Sequence, residues 1–206
     1  MSLPVVSSPP EPEPERALHV MDPLPLIDRP RAQAAIAELL RALGRDATAE
    51  HLSDTPRRVV DGFIELLEPR EFAMTTFPND EGYRDLVLVR DIPFTSVCEH
   101  HLLPFHGVAH VGYVPGDRLV GLSKLARIVD WYARDLQVQE RLTMRIADCI
   151  ERHLDPAGVG VVLRAEHLCM SIRGVRAAGA VTETTAFRGT VASDERMQRR
   201  LEASGS

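Results

Sequence analysis

Cys98-Glu99-His100-His101 sets a thiol and an imidazole three residues apart, with a carboxylate and a second imidazole between them. Thiolate sulfur and neutral imidazole nitrogen are the donors that a borderline-soft ion such as Zn2+ prefers. At this spacing both can reach one ion from a single turn of chain. A structural zinc site normally closes with four protein ligands, and this chain has few left to offer; the remote partner is Cys169, in His167-Leu168-Cys169. Cys98, His101 and Cys169 leave a fourth position open to water, the layout of a catalytic site. Local spacing also admits a blander reading, a buried thiol beside a surface imidazole pair.

The chain that must position these groups has 206 residues, enough for one domain with appendages and a real core. With 44% hydrophobic and 26% charged residues it has the composition of an ordinary globular protein. A formal net charge of -6 argues against a general binder of nucleic acid or anionic membrane, while leaving room for a local basic pocket for one anionic small molecule. Three cysteines suit a reducing cytoplasm better than a disulfide framework. No run approaches transmembrane length, and no basic region leads into an apolar one near the N-terminus, so a secretory signal is not expected.

Residues 1–30 hold eight of the 15 prolines, mixed with Ser and Glu, and are expected to form a disordered tail. A helical hairpin is expected over 31–70. Its first helix carries the stripe Ile36, Leu39, Leu40 and Leu43 and stops at Gly44; its second opens at Thr55-Pro56 with Val59, Val60, Phe63, Ile64 and Leu67 on one face. The pattern then turns to strand over Leu86–Val89 and Phe105–Val114, with the ligand loop Cys98–Pro104 between them and a turn at Pro115-Gly116-Asp117 leading into Arg118–Val120. Ser123 is expected to cap a helix with Leu125, Ile128, Val129 and Tyr132 inward, and a further helix covers about Gln137 to Leu154. Strands near Val159–Glu166 and Thr182–Val191 precede a polar C-terminal segment. This order predicts an α+β fold, a four-stranded antiparallel sheet with helices on one face, over residues 71–206. Such a sheet has two open edges, a liability that oligomerisation into a barrel removes. Cys149 is expected to be a buried small hydrophobe, and His106 and His110, sharing one strand face, to line the sheet.

Several separate motifs in order resemble the GTP cyclohydrolase I family: Asp54-Thr55-Pro56-Arg57-Arg58, the run Cys98 to Phe105, Gly121-Leu122-Ser123-Lys124-Leu125-Ala126-Arg127, Gln137-Val138-Gln139-Glu140-Arg141-Leu142, His167-Leu168-Cys169-Met170 and Arg173-Gly174-Val175. The resemblance spans about Thr55 to Glu202. It implies conversion of GTP and water to formate and 7,8-dihydroneopterin triphosphate, the entry to tetrahydrofolate and other pterins. It also implies the tunnelling fold (T-fold), a catalytic T-fold domain over 71–206, and a homodecamer with active sites between subunits.

Residue roles follow from the resemblance. Zn2+ sits on Cys98, His101 and Cys169, lowering the pKa of water from about 15.7 toward roughly 7. His167 gives a proton to the purine nitrogen, for which its side-chain type is suited. On an extended segment it would point away from Cys169, so the backbone must bend there. His100 approaches the ribose and serves the later proton transfers, with Glu99 grouped beside it as catalytic; alternatively His100 orients Glu99 or His101. Glu140, with Gln139 beside it, accepts from the guanine N1–H and amino group. Lys124, Arg127 and Arg173 meet the triphosphate, with Arg58 of a neighbouring subunit and the Ser123 hydroxyl at a helix N-terminus. Two alternatives are weighed. A 7-cyano-7-deazaguanine reductase of the same fold would use a cysteine nucleophile and need no Cys/His/Cys set. Against a non-catalytic purine- or pterin-binding paralogue stand the metal ligands, His167 and Glu140 together.

Overall fold

A computed structural model describes residues 27–203; the expected tail lies outside them up to position 26. The first element among the described residues, α1 (Arg29–Ala42), has Pro30 in its first turn and the Asp28 side chain accepting from the Arg31 N–H at 3.0 Å. It packs on α2 (Thr55–Leu67), whose buried face is Val60 and Ile64 and which rests in turn on the sheet. No α1 residue is fully buried, so this helix depends on its neighbour for order.

Four long antiparallel strands form the sheet: β2 (Val87–Cys98), β3 (Pro104–Val114), β6 (Gly158–His167) and β7 (Val181–Arg188), adjacent in that order. The expected count of four is corrected to five. A two-residue strand, β5 (Leu136–Gln137), pairs parallel with the end of β2, Cys98 opposite Gln137. A separate small sheet joins β1 (Thr76–Pro78) to β4 (Arg118–Val120). β2 runs nine residues beyond the apolar run read from sequence, past Val89 to Cys98. A bulge between Val89 and Ile92, with Asp91 at φ 54°, restores the alternation so that Ile92 and Phe94 face the core.

On one face lie α3 (Leu122–Ala133) and α4 (Gln139–Leu154), and the main core forms between them and the odd residues of β3, Phe105, Ala109, Val111 and Tyr113. Cys149 is fully buried there, as expected. The expectation that helices occupy one face only is also corrected. After β7 the chain folds into α6 (Gly189–Ser193) and α7 (Glu195–Glu202), which cover the other face through Val191 and Leu201, meeting Leu86, Val114 and Val162. The polar composition of the tail hides this, because α7 needs only Met197 and Leu201 to dock. His110 is buried on that face, its Nδ1–H donating to the Leu201 carbonyl at 2.8 Å. His106 is exposed and lines a cleft of about 470 Å3 with Glu65, Thr95, Asp130 and Arg134. No helix among the described residues is long and apolar enough to cross a membrane.

Candidate metal centre and surrounding site

Sheet register brings the ligands together. β2 ends at Cys98, β3 begins at Pro104 opposite Val97, and β6 ends at His167 opposite Phe105, so three strand termini meet at one corner. Between β2 and β3 the chain makes a tight turn. The Cys98 carbonyl accepts from the N–H groups of His101 (3.3 Å) and Leu102 (2.9 Å), Leu102 takes φ 53°, and the Cys98 N–H returns to the Leu103 carbonyl at 2.9 Å. From the β6 side, a single helical turn, α5 (Leu168–Ser171), swings Cys169 back toward the loop. This is a bend of the kind that the resemblance, and not the spacing, implied between His167 and Cys169.

The ligand atoms of Cys98, His101 and Cys169 lie within 4.8 Å of one another, and Cys98 Sγ is 3.7 Å from His101 Nδ1. Tetrahedral zinc with bonds near 2.3 Å to sulfur and 2.0–2.1 Å to nitrogen needs roughly 3.6 Å between those two donors. The donor set therefore fits. Both thiols are buried, while His101 stands at the open side. Burial pushes the Cys169 thiol up, and the neighbouring Cys98 sulfur adds to the shift. Two thiols this close are held as thiolates only when a cation joins them.

Glu99 is tied down rather than free. Arg141 of α4 donates to its carboxylate at 2.5 Å and also bonds the Gln137 side chain (3.0 Å) and the Leu136 carbonyl (2.7 Å). The Glu99 N–H meets the Gln137 carbonyl at 3.0 Å. The Arg141 hydrogen bond holds the Glu99 carboxyl below its usual range. Arg141 and Gln137 thus brace the ligand loop, a role not read from sequence, because Glu99 and Arg141 lie 42 positions apart and only the β2–β5 pairing joins them. His100 is exposed beside His101, with ring centroids 6.3 Å apart.

His167 stacks flat on Phe105 at 4.5 Å and 3° between planes, and its Nε2 lies 2.8 Å from Gln139 Oε1. Burial lowers its pKa, and the nearby Glu140 charge pulls partly the other way. Glu140 is exposed in the first turn of α4, whereas Gln139 is buried with its carboxamide engaged inside the chain. Ser123 is not the cap of α3, which begins one residue earlier with Gly121 as cap; it sits exposed in the first turn. The physical reason is that Gly121 takes the extended cap conformation, its N–H bonding the Thr75 carbonyl at 3.1 Å and its carbonyl receiving Lys124 N–H at 2.8 Å. Among the described residues Lys124, Arg127 and Arg173 form no ion pair, leaving three uncompensated cations, while Arg58 is paired at 3.5 Å with Asp54, the residue that precedes its own helix.

Fold and site together define an α+β enzyme with a three-donor centre suited to one zinc-type ion. A sequence profile of the GTP cyclohydrolase I family matches residues 32–204. The chain is 55% identical over 175 residues to the GTP cyclohydrolase 1 of Mycolicibacterium vanbaalenii, covering 82% of this chain and 86% of that protein. It is 54% identical over 178 residues to that of Mycolicibacterium gilvum (83% and 87%) and 52% identical over 176 residues to that of Mycobacterium leprae (82% and 85%). The chain belongs to the GTP cyclohydrolase I family.

Proposed function

We propose that the protein is a zinc-dependent GTP cyclohydrolase I, which hydrolyses GTP and rearranges it to 7,8-dihydroneopterin triphosphate and formate, the first step of tetrahydrofolate biosynthesis. The observation that carries this reading is the convergence of Cys98, His101 and Cys169 beside His167, with Glu140 on the adjoining helix turn. Opening the aromatic imidazole ring of guanine needs a nucleophile at C8 and a proton at the neighbouring nitrogen. Zinc on the three donors supplies Lewis acidity that makes water nucleophilic near neutral pH. His167 holds and moves the proton at the purine nitrogen. Its stacking on Phe105 fixes the plane of the ring, so that positioning is complete before substrate arrives. Exposed His100 serves the proton transfers of the opened ribose, and Glu99 acts through its bond to Arg141 by holding the loop.

Glu140 accepts from guanine N1–H and the amino group, a pairing of carboxylate shape and charge. Lys124, Arg127 and Arg173, which form no ion pair among the described residues, meet the triphosphate with Ser123; Arg58 reaches it from a neighbouring subunit. This arrangement belongs to the tunnelling fold, in which residues 71–206 form the catalytic domain and 31–70 the helical hairpin. The open edges at β7 and β5 support closure of several sheets into a barrel, in a homodecamer working in the cytoplasm.

The test is formate release from GTP by zinc-loaded protein, with dihydropterin absorbance followed in parallel. Both signals are expected, both lost on chelation and restored by zinc. Protein that holds zinc and binds GTP yet releases no formate refutes the reading. Formate without a pterin spectrum places the fault on the ribose side, at His100.

A further inference from the structure

We propose that Gln139 is the positioning residue of His167: it fixes the imidazole tautomer so that Nδ1 is the nitrogen that exchanges a proton with the substrate. The proposal deepens the reading above, on which the proton-transfer role of His167 rests.

The hydrogen-bond network around Gln139 has one consistent solution. Gln139 is 1% exposed, and its Nε2 lies 3.1 Å from the Leu163 carbonyl, 3.0 Å from the Thr182 carbonyl and 3.1 Å from Thr184 Oγ1. Backbone carbonyls only accept, so this end of the carboxamide must be the NH2 group; a flipped amide would set its oxygen against two carbonyl oxygens. The hydroxyls agree. Thr143 Oγ1 donates to the Gln139 backbone carbonyl at 2.7 Å, so the 2.6 Å contact between Thr143 and Thr184 takes its proton from Thr184. Thr184 Oγ1 has then spent its only proton and can only accept from Gln139.

With the NH2 end so fixed, Gln139 Oε1 faces His167 Nε2 at 2.8 Å and can only accept, so Nε2 carries a hydrogen. A neutral imidazole has one N–H, which leaves Nδ1 bare. Among the described residues Nδ1 has no hydrogen-bond partner, and turning the ring edge for edge would put a carbon in place of Nε2 and lose the bond to Gln139. The proton that passes between His167 and the substrate therefore enters and leaves at Nδ1, while the Nε2 proton stays on the ring, donated to Gln139 Oε1. This gives Gln139 a role different from the guanine contact expected from its place beside Glu140.

Two measurements test it on the zinc-loaded protein. Solid-state 15N NMR of histidine-labelled wild-type protein, with the His167 signal assigned by its loss in His167→Ala, is expected to show the Nε2–H tautomer. An Nδ1–H tautomer overturns the proposal, and this readout needs no Gln139 variant to fold. In steady-state kinetics Gln139→Leu, shown by zinc content and circular dichroism to be folded, is expected to lower kcat for formate release about a hundredfold, the lower end of what positioned proton transfer contributes. KM for GTP should stay within about twofold. A raised KM with kcat retained makes Gln139 a guanine contact and overturns the proposal. Failure of the functional reading looks different: wild-type protein releases no formate, or His167→Ala turns over normally, whatever tautomer is seen.

Discussion

Two glycines facing each other across β3 and β6, Gly112 and Gly160, make a socket for one leucine of the C-terminal helix. A Cβ added at Gly160 would lie 2.3 Å from Leu201 Cδ1, and one at Gly112 would lie 3.3 Å from Leu201 Cδ2. Leu201 is 0% exposed, so its methyl groups occupy the space that two side chains would otherwise fill. Leu201→Ala should cost about 3 kcal/mol, transfer loss plus cavity. Alanine keeps the backbone carbonyl that His110 holds at 2.8 Å, so α7 should stay docked over a hole rather than detach. Gly160→Ala alone should cost about 1–2 kcal/mol, because the leucine end must shift, offset in part by the lower chain entropy of alanine. In the double variant the added methyl enters the hole left by Leu201 and meets mainly Val191 Cγ1, at 3.1 Å. The combined loss should therefore fall short of the sum by roughly 1–2 kcal/mol. Urea unfolding of the four proteins at one fixed protein concentration measures this, since the assembly proposed above would make stability concentration-dependent. Additivity to within about 0.5 kcal/mol would mean that Leu201 does not sit on Gly160, and the docking of α7 described above would be wrong.

Other expectations follow from the site and its supports. Arg141→Gln and Glu99→Gln should each weaken zinc binding by about 10- to 100-fold, as loss of an outer partner does, and the double variant should be no weaker than the worse single. Competition with a chromogenic chelator reads this, and unaltered affinity would reject the brace. Glu140→Ala should keep zinc at full occupancy and lose productive GTP binding; unchanged turnover removes it from guanine recognition. Asp194 caps α7, accepting from the N–H groups of Arg196 (2.8 Å) and Met197 (3.4 Å), and those bonds hold its carboxyl below the ordinary 3.8. A lowered carboxylate pKa contributes stability that is complete above the unfolded value and lost as pH falls through the folded one. Below about pH 3.8, Asp194→Asn, which caps without titrating, should therefore protect α7 amides from hydrogen exchange better relative to wild type than it does at pH 6. A pH-independent difference between the two proteins would rule the cap out.

Much of the architecture was legible in the sequence because it rests on short-range periodicity. The stripes of α2, α3 and α4 are set by residues three and four apart, and the structure places those helices within a few residues of expectation. Cys98 and His101 could be paired because one turn of chain carries both, and Cys169 because few soft donors remain. The length of β2 was hidden: Arg90, Asp91 and Pro93 break the alternation, and only pairing with β3 carries the strand through the bulge to Cys98. Two residues are too few to give β5 a period, and α7 shows its apolar face only against the Gly112–Gly160 socket.

The inventory of chemistry, two thiols and the imidazoles at fixed spacings, belongs to the sequence by itself, since valence and reach along the chain determine it. Which group braces which was decided by the tertiary structure. The Arg141 bond to Glu99 spans 42 positions and the Gln139 bond to His167 spans 28. Each exists because the sheet register sets three strand ends level, and because the chain from α3 runs parallel beside the end of β2 before entering α4. Hydrogen bonds act over about 3 Å, so a shift of one residue in register, roughly 3.3 Å, is enough to undo both.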